Sequence, residues 1–221
     1  MYVLHHYPDT ASLVVRMVMA ELEVPHHARL IDRAAGALTS PAYLALHPLG
    51  KIPALETPTG PMFETAAMLL HLCDSHPSPM APAPDAADRG AFLTWLFFTS
   101  TNIHPTLLQL FYPERTAGPD CTVQVLTHAS AQMQTLLDAL ETMVARDTPD
   151  WLSPRKPTML GYYIAMLLHW LGSTPPDHPG HFASRDYPAL HAILSMLETR
   201  PATQSIAADE GLGATPFTHP I

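Results

Sequence analysis

Cysteine is almost missing from this chain: its 221 residues include only Cys73 and Cys121. Two cysteines make neither a disulfide framework nor a zinc quartet, and they suit a reducing environment. Positive charge is also scarce. Lys and Arg total 11 against 20 Asp and Glu, leaving a net charge of −9 with histidine neutral. Nucleic acid is therefore not expected as a partner, because binding it takes a clustered basic surface. Anionic membrane surfaces match as poorly. Long hydrophobic runs are missing too. The most apolar stretch, Met159 to Leu171, contains Gly161 and His169 and falls short of the roughly 18 residues that a membrane span needs. The opening MYVLHHYPDT has no basic n-region and no long apolar h-region, so no secretory signal is expected there. The expected location is the cytoplasm.

Histidine is plentiful, at 14 residues, but scattered. No HExxH occurs and no Cys/His ligand spacing. The adjacent pairs His5-His6 and His26-His27 point to opposite faces if they lie on strands. No metal is expected.

At 47% hydrophobic, the chain can bury one large core or two of roughly 80 and 140 residues. Tyr2 to His6 reads as a first strand. Ser12 to Leu22 has the apolar spacing of an amphipathic helix, ended by Pro25. His26 to Ile31 reads as a second strand, Arg33 to Ser40 as a loop, and Pro41 to Leu46 as a short helix with proline in its first turn. Ile52 to Thr57 and Pro61 to Phe63 flank the turn signal PTG and read as a hairpin. Glu64 to Asp74 reads as a helix. The proline-rich run HPSPMAPAPD then suits a linker. Beyond it only helices are expected: Ala86 to Phe111, Asp120 to Val144, a buried one from Thr158 to Leu171, Pro188 to Leu197 and Ala202 to Ala208. The tail after Gly211 reads as loosely ordered. The expected fold class is α/β followed by all-α. Residues 1–76 form the first domain, 77–85 the linker and 86–221 an all-helical domain.

Within HPLGKIPALE, Pro53 stands at the start of a strand, whose interior excludes proline. A trans proline at a strand edge and a cis Ile52–Pro53 bond both fit that position. Three segments together carry a resemblance: YPDTASLVVR, HPLGKIPAL and FETAAMLLHL. In this order and spacing they resemble the thioredoxin-like domain of soluble glutathione S-transferases. The closing segments YPALHAILSMLETRP and RPATQSIAADEG are similar to the end of the bacterial beta class. The resemblance covers nearly the whole chain.

The resemblance implies a transferase that joins the glutathione thiol to a small hydrophobic electrophile, with glutathione as co-substrate, acting as a homodimer. It implies that Ile52, before a cis Pro53, pairs its backbone with glutathione as an added strand would. Thr65 and the N–H groups of its helix would hold a carboxylate, Glu64 would take the ammonium, and Lys51 would steer a carboxylate. His104, in TNIHPTL, would reach toward the sulfur. Phe97 and Phe111 would wall the electrophile.

A free thiol has a pKa near 8.5, and lowering it about two units takes roughly 2.7 kcal/mol. One hydrogen bond to a charged group supplies about 1.5–3 kcal/mol. A single hydroxyl at the start of the first helix is therefore enough. Ala11 stands where beta-class members carry cysteine, so no mixed disulfide can form there. Thr10 and Ser12 remain as donors, unranked. Tyr7 can serve as a donor or as part of the hydrophobic wall. Asp9 would oppose a thiolate and is expected to face solvent. The alternative function is a non-catalytic ligand-binding or regulatory protein that keeps the glutathione-binding fold. A last departure lies at Thr158, where the family has aspartate three residues on and this chain has Gly161.

Overall fold

The computed structural model describes residues 1–221. The first 75 residues run β1 (Tyr2–His6), α1 (Ser12–Glu21), β2 (His26–Leu30), α2 (Pro41–Leu44), β3 (Ala54–Thr57), β4 (Gly60–Met62) and α3 (Thr65–Ser75). The four strands form one sheet in the order β2-β1-β3-β4. β1 pairs parallel with β2 and antiparallel with β3, and β3 pairs antiparallel with β4. This mixed sheet is the expected thioredoxin-like arrangement. Pro61 falls on edge strand β4, where its missing N–H costs no ladder bond.

Local chemistry fixes the loops that matter. Ser40 caps α2, its hydroxyl accepting from the Tyr43 N–H at 3.2 Å, and Pro41 presets the first turn. Gly50 has φ +57, and a Cβ there would meet the Leu38 carbonyl oxygen at 2.6 Å. Only glycine lets HPLGK fold back this tightly. The Ile52–Pro53 bond is cis, the second of the two forms that the sequence left open.

The second half is all helical: α4 (Arg89–Phe98), α5 (His104–Phe111), α6 (Glu114–Ala117), α7 (Thr122–Asp147), α8 (Met159–Ser173), α9 (Pro188–Glu198) and α10 (Pro201–Glu210). The single helix expected over 86–111 is two, joined by a π-turn over Thr99–Ile103. Pro105 explains the interruption. A proline ring clashes with the carbonyl four residues back, and the wider turn relieves that clash. α8 is buried from Met159 to Leu171, and Thr158 caps it by accepting from the Gly161 N–H at 3.1 Å.

One cluster of 51 buried residues joins the sheet, α1 and the helical half. α1 packs against α3, α8 and α10, which is why all seven apolar or small positions from Ser12 to Met19, every one but Arg16, are buried. The proline-rich segment between α3 and α4 is fastened as well, with the Met159 N–H donating to the Met80 carbonyl at 3.0 Å.

The expectation of a loose tail fails. Phe217 is fully buried, and the buried Glu198 carboxylate accepts from the N–H groups of Phe217 and Thr218 and from the Thr218 hydroxyl. A distant acid side chain holds this segment, and no local sequence pattern announces it.

Candidate active site

A cleft of about 810 Å³ lies between the sheet-bearing half and the helices, within the size range of small-molecule sites. One wall comes from the loop after β1, the HPLGKIP segment and the start of α3. The other comes from α5, α6 and α8.

The loop after β1 carries a compact hydroxyl network. The Thr10 hydroxyl lies 2.8 Å from the Tyr7 carbonyl and 2.8 Å from Ser12 Oγ. Ser12 Oγ lies 3.1 Å from the same carbonyl and accepts from the Tyr7 N–H at 3.3 Å. The Tyr7 carbonyl has two lone pairs and can accept from both hydroxyls, so a group in the cleft would have to draw the Thr10 proton away from an inward partner. Thr10 and Ala11 line the cleft; Ser12 is fully buried and does not. The two hydroxyl residues that the sequence left unranked therefore differ in position, because Ser12 is the first residue of α1 and turns into the core.

Ile52 lines the cleft, and neither its N–H nor its C=O has a partner within the chain. Its neighbour Lys51 is exposed and unpaired, its carbonyl held by the Tyr43 hydroxyl at 2.8 Å. Glu64 sits at the N-cap of α3 with φ +73 and makes no side-chain cap bond. A non-glycine residue in that region costs on the order of 1–3 kcal/mol, and such strain gathers at functional positions. Thr65 opens the helix, where the first N–H groups have no intrahelical acceptor. Lys51, Ile52, Pro53, Glu64 and Thr65 all line the one cleft.

His104 faces them from α5. Its Nδ1 lies 2.8 Å from the Tyr163 hydroxyl, which has no other partner. The phenol therefore donates, Nδ1 accepts, and the ring proton sits on Nε2. Burial, and behind it the Lys51 cation, push the imidazole down to about 4. Burial also raises the Tyr163 phenol, which stays a donor. The ring packs edge-on to Tyr163 and tilted against Trp170, residues seven apart on one face of α8. His104 is thus a neutral, clamped N–H donor.

Phe111 lines the cleft as expected; Tyr7 and Phe97 do not. Tyr7 is covered by the Arg33 guanidinium, 4.8 Å above its ring. Phe97 is 52% exposed, on the outward stripe of α4 with Ala91 and Thr94. Asp9 does not simply turn to solvent either. Its carboxylate accepts from the Trp170 indole at 2.6 Å. Burial works to raise that carboxyl, but the bonds from His169 and Trp170 outweigh it and hold it below the usual range.

Several cleft residues escaped the sequence reading. Trp170 looked like core in an apolar helix, although a buried indole N–H needs an acceptor and so hinted at a polar neighbour. His47 sits within HPLGK, its Nδ1 accepting from the Leu49 N–H at 3.2 Å. Arg33 lay in a segment read only as loop. Arg115 lies on the Tyr112 ring, 3.8 Å from its centre. Arg33, Lys51 and Arg115 line this one cleft, in a chain that carries only 11 cationic side chains.

Residues 11–75 match the family model described as "Glutathione S-transferase, N-terminal domain". The chain is 31% identical over 184 residues to glutathione S-transferase 3 of Zea mays, covering 80% of each protein. It is 26% identical over 212 residues to glutathione S-transferase GST-4.5 of Xanthomonas campestris pv. campestris, covering 95% of this chain and 98% of that one. A sphingomonad glutathione S-transferase solved with glutathione superposes with a TM-score of 0.76 at 25% identity, over 96% of this chain and 100% of that one. Sequence, fold and cleft agree, and the chain belongs to the glutathione S-transferase family.

Proposed function

We propose that this protein joins the glutathione thiolate to a small apolar electrophile held in the interdomain cleft, with Thr10 as the thiol-activating donor. The observation that carries this is the meeting in one cleft of Thr10, the unpartnered Ile52 backbone, the α3 start at Glu64-Thr65 and the neutral His104. The Ile52 N–H and C=O suit strand-like pairing with the peptide part of glutathione. The free N–H groups of α3, with the Thr65 hydroxyl, suit its γ-glutamyl carboxylate, and Glu64 its ammonium. Lys51 answers a carboxylate. Thr10 donates to the sulfur and stabilises the thiolate. His104 Nε2–H offers a second donor on the opposite wall. Leu107, Leu108, Phe111 and Tyr112 supply apolar surface for the electrophile.

The finer reading includes a homodimer and a cytoplasmic location. The exposed apolar side chains of Leu49 and Phe63 support the first, and size-exclusion chromatography with light scattering tests it. No helix is long and apolar enough to cross a membrane. The deciding assay is conjugation of a chlorinated nitrobenzene by the purified protein, beside calorimetry with glutathione. Binding without turnover would leave a ligand-binding protein; no binding would remove the site assignment as well.

A further inference from the structure

The loop that carries Thr10 is not held by its own half of the molecule alone. Asp9, next to Thr10, has φ +50 and is fastened at two points. Its N–H donates to Glu210 Oε2 of α10 at 2.9 Å. Its carboxylate accepts from Trp170 and lies 3.3 Å from His169 Nε2. His169 is buried, and its Nδ1 lies 2.6 Å from the Pro216 carbonyl. A carbonyl only accepts, so Nδ1 donates to it. Pro216 in turn precedes the pair of N–H groups that Glu198 captures. An unbroken path of contacts runs from the C-terminal segment through α8 to the residue beside the thiol donor.

We propose that the docked C-terminal segment positions the activating loop through Pro216, His169 and Asp9, which makes Asp9 and His169 positioning residues for glutathione activation. The proposal rests on Thr10 as the donor. Thr10 has one proton and two inward partners, so its orientation toward sulfur depends on where the loop backbone stands. Asp9 sets that backbone by tying it to α8 and α10. The same carboxylate orients the Trp170 indole against His104, so both walls of the cleft share one anchor. The titratable and charged groups around Asp9 are His169 on α8, Glu210 on α10 and Arg16 on α1, and Arg16 is bonded to Glu210 at 2.6 Å.

The test uses opposite signs. Asp9→Asn keeps an oxygen for Trp170 and removes a negative charge near the sulfur. Acting through charge alone, it would lower the pKa of bound glutathione. Acting through position, it raises that pKa by about one unit and lowers kcat/KM about tenfold at pH values below it. His169→Asn keeps a donor for Pro216 but cannot reach Asp9, and should act in the same direction. The double variant should be no worse than either single one, because both break one path. The full-length variants are titrated by the ultraviolet absorbance of the bound thiolate, and cleavage of the tail by a protease is followed in parallel. Faster tail cleavage in Asp9→Asn, with the raised pKa, supports the proposal. An unchanged or lowered pKa, or additive effects in the double variant, overturns it. Thr10→Val separates the two readings: if it leaves the titration unmoved, the Thr10 assignment fails by itself, whatever Asp9 and His169 do.

Discussion

Replacing Thr10 with valine keeps the shape of the side chain and removes one proton. A hydrogen bond to a charged group contributes about 1.5–3 kcal/mol, and a pKa unit corresponds to about 1.36 kcal/mol. On the proposed assignment, the Thr10 hydroxyl should account for about one to two units of the lowering of the bound thiol from its free value near 8.5. Without it, the thiolate fraction below pH about 6.5 should fall roughly 10- to 100-fold, and kcat/KM with it. Above pH about 9 both proteins should converge, since the thiol ionises unaided. Stability should fall only modestly: the Ser12 N–H loses Thr10 Oγ1, a long acceptor at 3.4 Å, while Ser12 Oγ already lies 3.1 Å from the Tyr7 carbonyl that Thr10 would abandon. The assay is thiolate absorbance of bound glutathione against pH, beside turnover at the same pH values. Ser12→Ala is the control. It strands the Tyr7 N–H that Ser12 accepts, so it should lower the melting temperature and move the titration less. A larger pKa rise in Ser12→Ala than in Thr10→Val would refute the reasoning and return the role to Ser12.

His104 makes a pH prediction. Its imidazole is lowered from 6.5 to about 4, so the unfolded chain binds a proton in that window and the folded chain does not. Stability should fall as pH drops from about 6.5 to 4, by roughly 3 kcal/mol at most, and His104→Gln should flatten that slope in urea titrations. Glu198→Ala should cost about 2–4 kcal/mol by leaving the Phe217 and Thr218 N–H groups without their acceptor; thermal melts and early proteolysis near Gly211 would show it, and an unchanged melt would refute it. Gly161→Ala should miss the gain of about 1 kcal/mol that helix propensity promises. Its Cβ would stand 2.9 Å from Thr158 Oγ1 and 3.4 Å from Ile193 Cγ2, so a stabilised variant in chemical denaturation would count against this packing.

Periodicity and turn residues were enough to place β1, α1, the hairpin and α8 close to where they lie, because those elements obey local rules. That Lys51, Ile52, Pro53, Glu64 and Thr65 would share one cleft was legible for a related reason: HPLGKIP and the ET pair are short motifs whose spacing carries the family resemblance. Which of the two hydroxyl residues faces the cleft was not legible. Thr10 and Ser12 are chemically alike, and only the packing of α1 against α8 decides which one reaches the cleft. Trp170 was hidden because its apolar helix reads as core, and its acceptor Asp9 lies 161 positions away. The tail misled for the same reason: its anchor, Glu198, is 19 residues from Phe217, and the segment has no helical pattern of its own.

The π-turn before His104 acts as a phase shift. On an uninterrupted α-helix, Phe97 and His104, seven residues apart, would point within about 20° of each other. One widened turn offsets everything after it by roughly one residue, about 100°. Phe97 therefore looks outward while His104 looks into the cleft, and a shared-face argument across residues 97–104 has to fail. Closing the turn into regular α-helix with every residue kept, as Pro105→Ala would favour, would bring Phe97 into line with the later positions and carry His104 off its Tyr163 partner, whereas deleting one residue of Thr99–Ile103 would leave both directions as they are.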